Sequence, residues 1–139
     1  EGKIIEAAAA LGLTERFYFA GFLRGEELRR AYRLADAFVM PSVSEPFGIT
    51  PLEAIIAGSP VLISRQSGVS EVLTHALKTD FWDTEDMANK IISVLTHGSL
   101  KETLRDNGKY EASKITWRES ARKCVDLYKQ ILSERQLAV

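Results

Sequence analysis

Three short runs of apolar residues, Phe17 to Ala20, Ala37 to Met40 and Pro60 to Ser64, constrain this 139-residue chain more than any other feature of it. Each is apolar nearly throughout, as suits a strand covered on both faces in a parallel sheet. Between the first two lies G-E-E-L-R-R-A-Y-R-L-A-D, where Leu28, Ala31, Tyr32 and Ala35 share one helical face while Arg29, Arg30 and Arg33 fall mostly elsewhere. Between the second and third lies T-P-L-E-A-I-I-A-G, a short helix ended by Gly58 and Pro60. The order strand, helix, strand, helix, strand is that of repeated βαβ units, which predicts an α/β fold with a doubly wound, Rossmann-like parallel sheet.

The flanks read as helical. Ile4, Ile5, Ala8, Ala9 and Leu11 recur at helical spacing up to Gly12. Downstream, helices are expected over about Asp83 to Leu95, Ser99 to Ser113 and Thr116 to Ser133, with L-K-T-D-F at 77–81 as a last short strand. Ser99 with Glu102 and Thr116 with Glu119 have the spacing of capping boxes. In the last helix Ala121, Cys124, Val125, Tyr128, Ile131 and Leu132 form a stripe, which predicts a core thiol at Cys124. The opening E-G-K-I-I-E enters a helical pattern with no capping residue before it, which suggests a piece of a longer protein.

Composition removes several classes of function. Lys and Arg number 18 against 19 Asp and Glu, a net charge of -1, so bulk electrostatics recommend neither nucleic acid nor an anionic membrane as partner. The single cysteine excludes an internal disulfide and a Cys-cluster metal site, and points to a reducing, cytoplasmic setting. No apolar run approaches the roughly 20 residues needed to cross a bilayer. His75 and His97 each stand beside turn signals and read as surface or capping residues, so no metal is expected. No nucleophile elbow, zinc-protease, Walker or dinucleotide-binding motif is present. Arg24, Arg29, Arg30 and Arg33 are offset by Glu26 and Glu27, the pattern of a solvated helix face.

The segment S-E-P-F-G-I-T-P-L-E-A, Ser44 to Ala54, directly follows the second strand, and in open α/β sheets ligands bind beyond the carboxyl ends of strands. It supports two readings. Thr50, Pro51 and Glu53 have the spacing of a capping box with proline at the first helical position, in which Glu53 only starts a helix. Alternatively Gly48 permits close backbone approach, the amides from Ile49 onward face an anion at the positive end of a helix, and Glu45 and Glu53 bracket that point as acceptors for hydroxyl groups. A phosphate flanked by hydroxyl acceptors describes a nucleotide sugar.

At these residues the chain resembles the retaining glycosyltransferases of the GT-B fold, the group one (family 4) class that is also similar to glycogen and starch synthases. The hallmark E-P-F-G-[IL]-x-x-L-E-A is matched throughout by Glu45 to Ala54, with seven residues between the two glutamates. F-A-G-F-L and A-D-A-F-V-M-P-S precede it, and A-G-S-P-V-L-I-S and S-G-V-S-E follow. The resemblance covers nearly all of the chain and implies that residues 1–139 are part of a C-terminal nucleotide-sugar-binding domain followed by C-terminal helices. It implies that Glu45 contacts the donor sugar as the catalytic-site glutamate, that the backbone at Phe47, Gly48, Ile49 and Thr50 faces sugar and diphosphate, and that Glu53 binds the ribose. Gly21, Phe22 and Leu23 are implied to lie near the base. The implied reaction transfers a sugar to an acceptor hydroxyl with retention, the departing diphosphate assisting deprotonation, with no cofactor beyond the nucleotide-sugar substrate. The acceptor domain and the Arg/Lys pair that such enzymes place near the diphosphate lie upstream of the matched region, so the 139 residues are expected to be inert alone. The E-P-F-G-I-T-P-L-E form and the S-G-V-S-E segment lean towards α-glucan synthesis. A nucleotide-sugar epimerase of the same fold and a non-catalytic nucleotide-binding module remain the alternatives.

Overall fold

The computed structural model describes residues 2–137, with side chains from 2 to 134. The helices are α1 (Gly2–Ala10), α2 (Gly25–Leu34), α3 (Ile49–Ala57), α4 (Thr84–Thr96), α5 (Gly98–Lys114) and α6 (Trp117–Leu137). The strands are β1 (Phe38–Met40), β2 (Val61–Ser64) and β3 (Leu77–Thr79), and single 3-10 turns occupy Thr14–Arg16 and Gly68–Glu71. The strands form one parallel sheet in the order β1-β2-β3, with Phe38 beside Val61 and Leu62 beside Leu77. The chain therefore has the α/β fold that the alternation of runs predicts.

Strand β2 is central and buried along its whole length, which is why V-L-I is apolar without alternation. Val61 and Ile63 join Leu52, Ala54, Ile55, Val69, Leu73 and Ala112 in one cluster that α3 and α5 close from above. Leu62, between them in sequence, points to the other face, where α4 packs on β2 and β3. Helix α2 rests on α3, so Tyr32 and Leu28 complete the core on the side nearest β1. Helix α3 stops at Gly58, whose φ of +103° lets the Gly58 and Ser59 amides donate back to the carbonyls of Ile55 and Ala54 at 2.9 Å each. Ser59 is fully buried there, its hydroxyl donating to the Tyr32 carbonyl.

Four expectations are corrected. The run Phe17 to Ala20 is not a strand: Phe17 has extended backbone (φ −117°, ψ 122°), yet nothing among the described residues pairs with the run, and Phe17, Tyr18 and Phe19 are 47%, 87% and 40% exposed. An extended apolar segment becomes a strand only where a ladder partner meets it. Ser99 caps nothing, because α5 already begins at Gly98 and the lone residue His97 separates it from α4; the Ser99 carbonyl instead accepts from the Thr103 hydroxyl at 2.8 Å. Thr116 does cap α6, accepting from the Glu119 amide at 3.2 Å, but the Glu119 carboxylate turns to Arg122, so only half of that box forms. Cys124 is exposed, together with Val125, Tyr128, Ile131 and Leu132 of its stripe, because helical periodicity records an apolar face and not whether anything lies against it.

Other readings hold. His97 sits at the α4–α5 junction, and Arg29 and Arg33 pair with Glu26 on the solvated face of α2. A cap absent from the sequence reading is Asp83, whose Oδ1 accepts from the Asp86 amide at 2.9 Å and starts α4. The chain start at Glu1, where the sequence offers no cap, lies outside the described residues. No described helix is long and apolar enough to cross a membrane.

Candidate functional site

Strand β1 ends at Met40, and the segment Ser44 to Gly48 leads from it into α3. Gly48 occupies the N-cap position of α3 with φ +93°, a conformation that a side chain resists. A Cβ there would stand 3.0 Å from Met40 Cε and 3.2 Å from Glu45 Cγ, so a side chain would be crowded as well as strained by the backbone. Because glycine brings no side-chain acceptor, the first amides of α3 are left at the positive end of the helix with their donors uncapped by this residue.

This start overturns the capping-box reading of Thr50. The helix begins at Ile49, so Thr50 and Pro51 are its second and third residues, and Glu53 lies on the next turn, too far along to reach back to a cap. Pro51 costs nothing at that place because the third amide of a helix has no intrahelical acceptor. The Thr50 hydroxyl faces Met40 Sδ at 3.5 Å instead of the backbone. Glu53 is exposed, and its Oε2 accepts from the Tyr32 hydroxyl at 3.4 Å.

The loop is held in place from below by the turn at Gly68–Glu71. The Gly68 amide donates to the Glu45 carbonyl at 2.9 Å, the Val69 amide donates to the Phe47 carbonyl at 2.6 Å, and Glu45 forms a parallel bridge with Ser67. These bonds turn the carbonyls of the loop inward and fix its path across the end of β2. Gly68 admits the loop only because it lacks a side chain: a Cβ would stand 2.1 Å from the Pro46 carbonyl oxygen. The turn in its own right is anchored by Ser67, a buried residue whose hydroxyl donates to the Ser64 carbonyl at 2.7 Å. From sequence, S-G-V-S-E stood as a neighbour of the motif and a pointer to product class, with no structural role assigned to it. A serine–glycine pair four residues past a buried strand was the available signal.

Two grooves flank the exposed ridge of α3. One, of about 480 Å³, lies towards α2 and is lined by Gly25, Leu28, Arg29, Tyr32, Glu53 and Ile56 among others. The second, of about 360 Å³, lies towards the start of α6 and is lined by Phe47, Ile49, Leu52, Glu53, Ile56 and Trp117 among others. Glu53 thus borders both, and Phe47 and Ile49 border the second. Gly21, Phe22 and Leu23 lie on the loop before α2 and line neither groove; the Arg24 guanidinium stands 4.6 Å from the centre of the Phe22 ring. Tyr32, Arg29 and Arg33 border the first groove and were read from sequence only as core and solvated face.

A strand that runs through a glycine turn into an uncapped helix N-terminus, at the carboxyl edge of an open parallel sheet, is the architecture of α/β domains that hold phosphorylated ligands. The chain belongs to the glycosyl transferases group 1 family, whose sequence profile matches residues 1–111. It is 35% identical over 124 residues to an uncharacterised glycosyltransferase of Methanocaldococcus jannaschii, covering 86% of this chain and 32% of that protein. It superposes on the sucrose-phosphate synthase of Thermosynechococcus elongatus with a TM-score of 0.81 at 28% identity, over 95% of this chain and 34% of that one. The fold is also that of Anabaena HepE, solved in complex with UDP-glucose, with a TM-score of 0.76 at 24% identity over 81% of this chain and 32% of that one. The chain spans about a third of the length of these relatives.

Proposed function

We propose that this chain binds the nucleoside-diphosphate sugar donor of a retaining glycosyltransferase. In this reading the diphosphate lies at the amides of Phe47 to Thr50, Glu45 touches a hydroxyl of the donor sugar, and the Glu53 carboxylate accepts from the ribose hydroxyls. The observation that carries it is the start of α3 at Gly48, which leaves the helix amides without a side-chain cap and relieves Glu53 of any capping duty. Charge placed at that helix end is stabilised by the peptide dipoles, so a developing negative charge on the leaving diphosphate is met by donors already in position.

Transfer breaks the bond between the anomeric carbon and the diphosphate oxygen and forms a new one to the acceptor oxygen on the same face. The acceptor proton passes to the departing diphosphate, so no side-chain nucleophile and no metal is required of this chain. The acceptor, a carbohydrate or another hydroxyl compound, is bound by parts of the enzyme outside these residues, and the 139-residue chain alone has no transferase activity. An α-glucan is the favoured product class.

Titration calorimetry with UDP tests the donor site. Glu53→Ala is expected to weaken UDP by about ten-fold or more, the worth of hydrogen bonds to a charged group, with an unchanged melting temperature because Glu53 is exposed and caps nothing. Unchanged affinity accompanied by a lower melting temperature sinks the proposal and restores the helix-start role.

A further inference from the structure

Glu53 is an exposed side chain on a helix surface, yet ligand recognition by such a group is weakened by the rotamer freedom it must give up. Among the described residues its hydrogen-bond partner is the Tyr32 hydroxyl, which donates to Oε2 at 3.4 Å. Tyr32 is the opposite kind of residue, only 6% exposed. Its ring meets Phe38 edge-on, with centroids 5.5 Å apart at 82°, and its carbonyl accepts from the Ser59 hydroxyl and from the Ala35 amide at 3.1 Å. The ring is therefore pinned between β1 and the end of α3, and Tyr32 lines the same groove as Glu53, its hydroxyl turned to the carboxylate. The phenol is protonated throughout the neutral range, and burial, together with the negative charge of Glu53, pushes it further up from its ordinary value.

We propose that Tyr32 is a positioning residue for ribose recognition: its hydroxyl holds one carboxylate oxygen of Glu53, leaves the other free for the ribose diol, and so sets a preference for ribonucleotides over deoxyribonucleotides. The inference rests on the ribose reading of Glu53 and adds a residue that the glutamate motif does not contain.

The test titrates the 139-residue chain with UDP and with 2′,3′-dideoxy-UDP. The unaltered chain is expected to favour UDP by about ten-fold. Tyr32→Phe keeps the ring and its packing; it is expected to lower UDP affinity by about three- to five-fold, the worth of one hydrogen bond, and to leave dideoxy-UDP unchanged. In a Glu53→Ala background the same substitution is expected to change neither affinity, because a positioning residue has no effect once the group it positions is gone. Full ribose discrimination in Tyr32→Phe overturns the inference, as do equal losses for both nucleotides or a Tyr32→Phe chain that no longer folds, each of which assigns Tyr32 to structure alone. If the unaltered chain does not prefer UDP to its dideoxy form, the ribose reading of Glu53 itself fails.

Discussion

Replacing Gly68 with alanine places a methyl group 2.1 Å from the Pro46 carbonyl oxygen, 2.9 Å from the Pro46 carbonyl carbon and 3.2 Å from Phe47 Cα. All three are backbone atoms, so no side chain can swing aside. An ordinary carbon–oxygen contact is about 3.3 Å or more, and the loop from Glu45 to Gly48 must retreat by about 1 Å. That stretches the Gly68-to-Glu45 and Val69-to-Phe47 bonds, now 2.9 and 2.6 Å, beyond useful length. Two backbone bonds at about 1 kcal/mol each, with about 1 kcal/mol of crowding in a packed region, outweigh the gain of up to about 1 kcal/mol from a stiffer unfolded chain. The expected loss is about 2 kcal/mol, or a fall of roughly 5–10 °C in melting temperature for a domain of this size.

Urea unfolding followed by circular dichroism measures the loss directly. Gly98→Ala serves as the control, because a Cβ at Gly98 meets nothing within 4 Å and the residue opens α5; it is expected to be neutral or slightly stabilising. If Gly68→Ala unfolds at the same midpoint as the unaltered chain, the turn at Gly68–Glu71 does not clamp the loop and the reasoning fails.

Two further outcomes are expected beside those for Glu53 and Tyr32. Burial alone would raise the Glu111 carboxyl, but the backbone amides of His75 and Thr74, at 2.8 to 2.9 Å, outweigh it and hold the group below 4.5, the ordinary glutamate value. A carboxylate depressed on folding stabilises above its unfolded value and loses that contribution as pH falls through its folded one. Glu111→Gln is therefore expected to cost about 1–3 kcal/mol near pH 7, with the difference shrinking as denaturation curves are taken below pH 4.5; a difference independent of pH counts against the assignment. Cys124, exposed on α6, is expected to react with a thiol reagent in native buffer as fast as in urea, and protection lifted only by urea would return it to a core.

Much of the fold was legible because strand burial and helix amphipathicity leave direct marks on residue order. The runs ending at Met40 and Ser64 became β1 and β2, L-K-T became β3, and the helices fell within a few residues of their expected bounds. Local chemistry was less legible, because a capping residue is recognised by its offset from the helix start and that start depends on the backbone. Thr50 and Ser99 had the right spacing and the wrong position, since Gly48 and His97 took the N-cap places first. Asp83, without a partner glutamate three residues on, did the capping unannounced.

Sequence alone determined the order of elements from α2 onward, the glutamate pair on either side of a strand-to-helix junction, and the family, since each is a property of residues close together along the chain. Tertiary structure decided which apolar runs found partners: Val61 to Ser64 did, whereas Phe17 to Ala20 and the stripe of α6 are exposed. It also decided what the segment at 44–54 is made to do. Gly68 lies 20 or more residues from that loop's start and Tyr32 more than 20 before Glu53, and only folding brings the one beneath the loop and the other beneath the carboxylate. Periodicity reports which face a residue takes; it carries no information on which distant residue meets it there.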